Sequence, residues 1–366
     1  MRALFSGPPP PDGVAMIELR QAWSVPSRPR PIVIIGAGGI IRTAHLPVYR
    51  RLKFPVAGIF DINPDAAHRT AAQFGVDQVF ATVADAAAAP GAIFDVAVPG
   101  DQIAGVLQQL PIGAAVLIQK PMGEHLDGAR RILKICRERR LVAAMNFQLR
   151  FSPNVLALRD LLERNALGEI VDIEVRLVVR QPWELWTFLE GAPRLEILYH
   201  SIHYLDTIRS IVGEPRGVYC RTVAHPAIPE FRDTRSTTIL DYGDALRCSL
   251  MLNHTHHHGP AHRSSMLKVE GTKGSAVLTM GVNLQYPDGG PDRLEVTSNG
   301  DWKNVRLRGS WFIEAFEGPM SNLQRFVAGE DSALVSPVED AIKTMALVEA
   351  CYQSSEAGGT PIPSVG

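Results

Sequence analysis

The sequence predicts an α/β protein in two parts: a doubly wound parallel sheet first, then an α+β part on a mainly antiparallel sheet. Three observations predict it. Over residues 31–150, apolar β-branched runs alternate with helical stretches, as in repeated β–α units with helices on both sheet faces. The first run ends in a glycine turn and the second in an acid. In the second half, several strand-like segments follow one another with little helix between them. At about 150 residues per domain, 366 residues suit two domains.

Composition narrows the function classes. Lys plus Arg is 37 and Asp plus Glu is 38, for a net charge of -1. No broad electrostatic grip on nucleic acid or an anionic membrane is expected. No apolar run approaches the roughly 18 residues of a membrane span. Cys136, Cys220, Cys248 and Cys351 are scattered without CxxC spacing. This predicts neither a disulfide framework nor a thiolate zinc site, and points to reduced thiols in the cytoplasm. Residues 1–30, with Pro8, Pro9, Pro10, Pro11, Pro26 and Pro29, read as an irregular arm. Met16 is an alternative start, and the arm is free to pack on the body.

The elements follow in order. Ile32, Val33, Ile34 and Ile35 form an apolar run expected of a strand buried on both faces. It enters Gly36-Ala37-Gly38-Gly39-Ile40-Ile41, a helical stretch at 43–52 and a second strand at 56–60 closed by Asp61. Strand, glycine turn, helix, strand and acid make a dinucleotide site. Gly36 allows the tight turn. Gly38 lets backbone N–H groups approach a pyrophosphate at the helix start. Ile41 holds the third glycine position, whose role is helix–strand packing rather than phosphate contact. Asp61 can accept hydrogen bonds from the ribose hydroxyls and would repel a 2′-phosphate, which favours NAD over NADP. Helices at 65–74, 84–89, 103–110 and 124–140 alternate with strands at 93–98, 114–119 and 141–145. Ligands bind such sheets at the strands' carboxyl ends, where Gly36, Asp61, Pro99, Lys120 and Asn146 lie. The expected cofactor contacts are Gly36, Gly38, Gly39, Ile40, Asp61, Pro99, Gln119 and Lys120.

In the second half a helix at 153–164 precedes an alternating strand at 170–180. Further strands read at 217–224, 236–242, 245–253, 265–270 and 276–280, with Asp241-Tyr242-Gly243-Asp244 as a hairpin connection. Closing helices read at 312–326 and 337–354, and a tail at 356–366.

Two places carry candidate chemistry. Lys120 precedes Pro121, which biases it toward an extended conformation at the sheet edge. A cation there can hold a substrate hydroxyl and stabilise alkoxide character. The second is the helix whose apolar stripe is Leu198, Ile202, Leu205, Ile208 and Val212, stopped by Gly213. Tyr199, His203 and Asp206 share one of its faces by spacing. A histidine there can take a proton near neutral pH. Trp183 and Trp186 suit packing on sugar C–H faces, or a core patch. His254 and His256 share one face if their segment is a strand. We read them as contacts to substrate hydroxyls and expect no metal, because no nearby carboxylate or cysteine completes a usual ligand set.

These motifs together resemble the Gfo/Idh/MocA oxidoreductases, over roughly residues 31–355. The carriers are Gly36-Ala-Gly-Gly-Ile with His45-Leu46-Pro47, Gln119-Lys120-Pro121, Asn146-Phe-Gln-Leu-Arg150-Phe151, His203-Tyr-Leu-Asp206, and Glu270-Gly271-Thr272-Lys273-Gly274. The resemblance implies a Rossmann domain at 31–150 binding NAD. It implies a substrate-binding and oligomerisation domain at 151–366, built on a large open sheet. It further implies NAD(P)-dependent oxidation of sugars, inositols or related polyols, and a homodimer or homotetramer. The family's catalytic lysine falls on Lys120 and its histidine on His203. Three positions depart. Gln119 stands for the usual glutamate, Ile103 for a common histidine, and Tyr199 for the usual aspartate before the histidine. Tyrosine is no anion at neutral pH, and Tyr199 is placed to join the proton path. Expected substrate contacts are Arg150, Trp183, His200, His254 and His256. The expected activity is dehydrogenation of a secondary hydroxyl of a cyclic sugar, glycoside or polyol. Alternatives are NAD-dependent glycoside cleavage through transient oxidation and elimination, and a catalytically silent NAD sensor.

Overall fold

The computed structural model describes residues 18–186, 189–286 and 288–365. The first sheet holds β1 (Ile32–Ile35), β2 (Val56–Phe60), β3 (Ile93–Val96), β4 (Ala115–Gln119) and β5 (Val142–Asn146). All are parallel, in the order β2-β1-β3-β4-β5. β1 and β3 are buried throughout, because helices cover both faces; that is why they read as unbroken apolar runs. The connecting helices are α1 (Leu46–Arg51), α2 (Pro64–Phe74), α3 (Val83–Ala87), α4 (Ile103–Leu107) and α5 (Leu126–Glu138). Local chemistry sets their ends. Asn63 caps α2 by accepting from the Ala66 N–H at 3.2 Å, and Gly75 closes it in the left-handed region at φ 69°. Strand order reverses between β1 and β3, so the binding crevice opens at their carboxyl ends.

The second sheet has eight strands. They are β6 (Ile170–Val178), β7 (Gly217–Val223), β8 (Arg235–Asp241), β9 (Arg247–Asn253), β10 (Ser264–Gly271), β11 (Ser275–Thr279), β12 (Arg293–Thr297) and β13 (Lys303–Val305). The order is β13-β12-β11-β10-β6-β9-β8-β7. Every neighbouring pair is antiparallel except β6 and β9, which run parallel with Asp172 opposite Arg247. Ser236, Thr238 and Leu240 of β8 point inward while Thr237 and Ile239 face out. The sequence reading did not anticipate β12 and β13. Both are short, and the three residues of β13 are polar or only partly buried, so they carry little apolar signal.

Helices α6 (Pro153–Glu163), α7 (Ile202–Val212), α8 (Trp311–Glu314), α9 (Glu317–Val327) and α10 (Val338–Ala357) complete the chain. The single helix expected at 312–326 is two. Phe312 is extended (φ −111°, ψ 113°), and Pro319 lies in the first turn of α9. There its missing N–H costs nothing; inside one continuous helix it would break a hydrogen bond and clash. α9 packs back on β4 and β5 of the first sheet. Its Met320 and Leu323, with Phe316, share an apolar cluster with Ile32, Ile34 and Leu117.

Residues 18–30 are irregular, as read, and pack on the body. The Arg20 N–H donates to Asp160 at 2.8 Å and its guanidinium to Glu163 at 2.7 Å. Trp23 donates to Asp331 at 2.7 Å and meets Phe151 edge-on at 5.3 Å. Arg30 reaches Gln324 at 2.7 Å and the Gly91 carbonyl at 2.9 Å. The proline run 8–11 and Met16 lie outside the described residues.

Candidate active site

The glycine turn closes the carboxyl end of β1. Gly36 has φ +109°, and a Cβ there would sit 2.3 Å from the Ala97 carbonyl oxygen beyond β3. Only glycine fits. Gly38 and Gly39 are exposed, and a Cβ at either would meet nothing within 4 Å. Here the protein leaves room for a ligand to approach backbone N–H groups. Asp61 braces the turn, accepting from the Ala37 N–H at 2.6 Å and the Asn63 N–H at 2.8 Å. A carboxylate has about four lone-pair sites, so acceptors remain for ribose hydroxyls. Ile40 is half-buried and Ile41 fully buried in the apolar cluster below. These features fit a dinucleotide.

Beneath lies a network to which the sequence reading gave no chemical role. His45 Nδ1 meets Asp95 Oδ2 at 2.7 Å, Tyr49 donates to the same oxygen at 2.7 Å, and Asn146 Nδ2 meets His45 Nε2 at 3.1 Å. All four residues are buried, so α1, β3 and β5 are joined under the crevice floor. Burial and the Asp95 carboxylate push the Tyr49 phenol well above its ordinary value.

At the same edge, Pro99 is exposed past β3 and Gln119 Oε1 accepts from the Lys120 N–H at 3.0 Å. The Lys120 Nζ donates to the Tyr199 carbonyl at 3.0 Å and lies 5.8 Å from the Tyr199 ring centre. Burial lowers the lysine to about 8. Tyr199, His200 and His203 come from a π-helical turn, Ile197–Ser201, that runs into α7. The other π-helical turn among the described residues, Ile41–His45, follows the glycine turn. Such wide turns concentrate at functional sites. His200 and His203 are half-buried, and each has a sealed Nδ1 without a hydrogen-bond partner. Both are pushed well below the usual imidazole value, first by burial. Lys120 adds to this for His203; His254, Lys120 and His203 do so for His200. Lys120, His200 and His203 therefore lie close enough to act on one another, with His254 against the His200 ring. Tyr199 is raised to about 12 by burial, then by Glu124 and Asp101, and stays a neutral phenol.

Several expected substrate contacts are corrected. Arg150 is 3% exposed and spent inside the protein. It forks onto Asp206 with two bonds of 2.6 Å, and reaches Asp340 and the Val335 carbonyl at 2.7 Å. Asp206 accepts further from Thr344 at 2.8 Å, so it serves Arg150 rather than His203. β9 ends at Asn253, and a single further bridge, Thr255 to Arg180, lies between His254 and His256; the two rings serve different neighbours. His256 bonds the Ala261 carbonyl at 2.9 Å in its own loop. His254 is buried, its ring 4.3 Å from His200 and its Nε2 3.3 Å from Glu196. It backs His200 rather than lining open space. Trp183 is a core residue, stacked on Phe231 at 4.8 Å with its edge toward His200 at 5.4 Å. Among the described residues, no three His, Cys, Asp or Glu side chains converge as a metal site.

The sequence reading assigned no role to Glu196 or Asp233. Glu196 is fully buried, accepting from Ser201 at 2.9 and 3.0 Å and facing His254. Asp233 accepts from the Leu195 and Glu196 N–H groups at 2.9 and 3.2 Å and from Tyr352 at 3.2 Å. Burial, then Glu196, raises it to about 7. A lone acid carries no periodic or motif signal; only the tertiary neighbour 58 residues away marks Glu196.

Comparison with known proteins agrees with this geometry. Residues 30–147 match the oxidoreductase family with an NAD-binding Rossmann fold, and residues 159–363 match that family's C-terminal alpha/beta domain. D-apiose dehydrogenase of Rhizobium rhizogenes is 23% identical over 320 residues, 83% of this chain and 89% of that protein. Inositol 2-dehydrogenase of Rhizobium meliloti is 22% identical over 336 residues, 88% of this chain and 95% of that protein. An oxidoreductase of Agrobacterium radiobacter, solved with NAD+, L-tartaric acid and magnesium, superposes with a TM-score of 0.75 at 20% identity. That match covers 90% of this chain and 97% of the other. With the glycine turn, Asp61 and both sheets in place, the chain belongs to the Gfo/Idh/MocA oxidoreductases, NAD-binding enzymes acting on CH–OH groups.

Proposed function

We propose that the chain oxidises a secondary hydroxyl of a cyclic sugar, glycoside or polyol. The observation that carries this reading is that the Lys120 ammonium, at the carboxyl edge of the first sheet, bonds the Tyr199 carbonyl in the helical segment that carries His203, close enough for its charge to act on that imidazole. Lys120 donates to the reacting oxygen and steadies its developing negative charge. His203, neutral because burial disfavours its charged form, takes the hydroxyl proton at Nε2, the ring nitrogen that is not sealed as its Nδ1 is. The glycine turn and Asp61 hold the dinucleotide; when bound, its nicotinamide supplies the hydride acceptor. The relatives named for apiose and inositol support the polyol class.

The reading includes a cytoplasmic setting, which the four free buried thiols support. It includes self-association through the outer face of the eight-stranded sheet, where Tyr219, Ile239 and Met251 are exposed together. The test is NADH formation against a panel of inositols, aldoses, glycosides and sugar acids. At least one should be turned over, and Lys120→Met should cut turnover by about 10²-fold or more while NAD affinity stays unchanged. Undiminished turnover in that variant overturns the role given to Lys120.

A further inference from the structure

We propose that the substrate is an acid: a sugar or polyol bearing a carboxylate one or two carbons from the carbinol that reacts. This narrows the dehydrogenase reading above and rests on it.

The charges around the pocket carry the inference. Among the described residues Lys120 has no ion-pair partner; its bond is to a backbone carbonyl, Tyr199 O at 3.0 Å. Two imidazoles, His200 and His203, lie near it, and His254 stands behind His200. Glu196 pairs with His254 at 3.3 Å, and among the described residues no carboxylate pairs with Lys120, His200 or His203. Glu196 lies behind His254, with both oxygens on Ser201. Asp206 is committed to Arg150 and Thr344. Glu124 and Asp101 act on Tyr199 but stand exposed to water. At the two places where the resemblance leads one to expect an acid stand Gln119 and Tyr199. Gln119 turns its carbonyl to the Lys120 N–H, and Tyr199 is a neutral phenol.

Among the described residues the site thus offers one half-buried cation, a set of imidazole nitrogens and no anion paired with that cation. A buried charge without a counter-charge is costly, and burial accordingly draws Lys120 down to about 8. A carboxylate entering with the substrate supplies the missing charge, through hydrogen bonds stronger than a hydroxyl makes. The donors suffice. An ammonium has three N–H groups. One of them is on Tyr199 O, one is for the reacting oxygen, and one remains for a carboxylate oxygen. His200 Nε2, which is not sealed as its Nδ1 is, offers a second donor, its ring held in place by His254 and Trp183. Both contacts go to groups around one ammonium, so the carboxylate must lie close to the reacting carbon.

The test compares matched pairs: D-glucose with D-gluconate and D-glucuronate, and D-galactose with D-galactonate. Dissociation constants come from calorimetry on the protein loaded with NADH, and kcat/KM from NADH formation. At least one acid should bind about 10-fold more tightly than its neutral partner, with an advantage that shrinks in high salt. Tyr199→Asp returns a carboxylate beside the lysine and should erase that preference in the binding measurement. Gln119→Glu does the same should the first variant fail to fold. Neutral sugars that bind as well as every acid overturn the inference. NADH formed from neutral sugars alone also overturns it, while leaving the dehydrogenase reading intact. Tight acid binding without NADH from any compound supports the pocket's preference and overturns the dehydrogenase reading.

Discussion

Lys120 and His203 must stand in opposite protonation states to work together: the lysine charged so that it can donate, the histidine neutral so that it can accept. Burial moves both downward, Lys120 to about 8 and His203 well below 6.5. The sign of the pH dependence follows. The rate falls as pH rises through about 8, when the ammonium is lost, and it falls on the acid side below the ordinary imidazole range, when His203 is protonated. The kcat/KM profile should therefore be level through neutrality. Lys120→Arg, which keeps its charge, should move the alkaline limb upward and leave the acid limb alone. An unmoved alkaline limb in that variant would assign the limb to another group. At this scale the sequence is informative where a residue's position is local. Lys120 at a strand end and Tyr199, His200 and His203 within one helical segment could be grouped by spacing. Arg150 could not be understood this way, because its partner Asp206 is 56 residues further on and nothing in its own neighbourhood shows that the guanidinium is spent. His254 fails for the same reason: Glu196 and His200 define it, and both lie on another element.

Helices and strands are positioned here by such long-range bonds as much as by their own propensities. Arg150 joins its own turn (Gln148–Phe151) to α7 through Asp206 and to α10 through Asp340. Arg209 of α7 reaches the same Asp340 at 2.6 Å. Removing one partner of a buried pair leaves an uncompensated charge, at about 3–5 kcal/mol. Arg150→Met should lower Tm by at least about 5 °C while the substrate KM of the surviving folded enzyme changes little. A raised KM at unchanged Tm would restore Arg150 to the substrate site. Element types were legible wherever period and punctuation agreed. α2 carries Asn63-Pro64 in front and Gly75 behind, and β6 alternates along its length. The π-helical turns were not legible, since the extra residue per turn leaves apolar spacing almost unaltered. The break between α8 and α9 was marked by Pro319, which the amphipathic pattern of 312–326 masked.

At the scale of the molecule, the two sheets are less separate than their position in the chain suggests. α9 supplies Met320 and Leu323 to the core of the first sheet, and residues 18–30 bond to Asp160, Asp331, Gln324 and Gly91 on the way to β1. A fragment of residues 31–150 would leave Ile32, Ile34 and Leu117 without that cover. It should be aggregated or molten by near-UV dichroism and bind a hydrophobic dye, whereas the full chain melts cooperatively. A monomeric, sharply melting fragment would show that the α9 contact is dispensable. The sequence predicted both sheets through strand period and the glycine turn, but a helix that returns across some 180 residues leaves no local trace.

The parallel pairing of β6 with β9 has a consequence for how the chain is made. β6 sits in the middle of the larger sheet, yet the strands on its two sides arrive late: β9 meets it across a separation of 75 residues, and β10 emerges later still. While the ribosome is extending the chain, the apolar edge of β6 has nothing to pair with, and the intervening β7 and β8 can only form a hairpin that waits beside it. Assembly of that sheet is therefore a late, all-at-once event governed by long loop closures. The interval before it is when a nascent chain of this kind is most exposed to aggregation, and when a chaperone has most to protect.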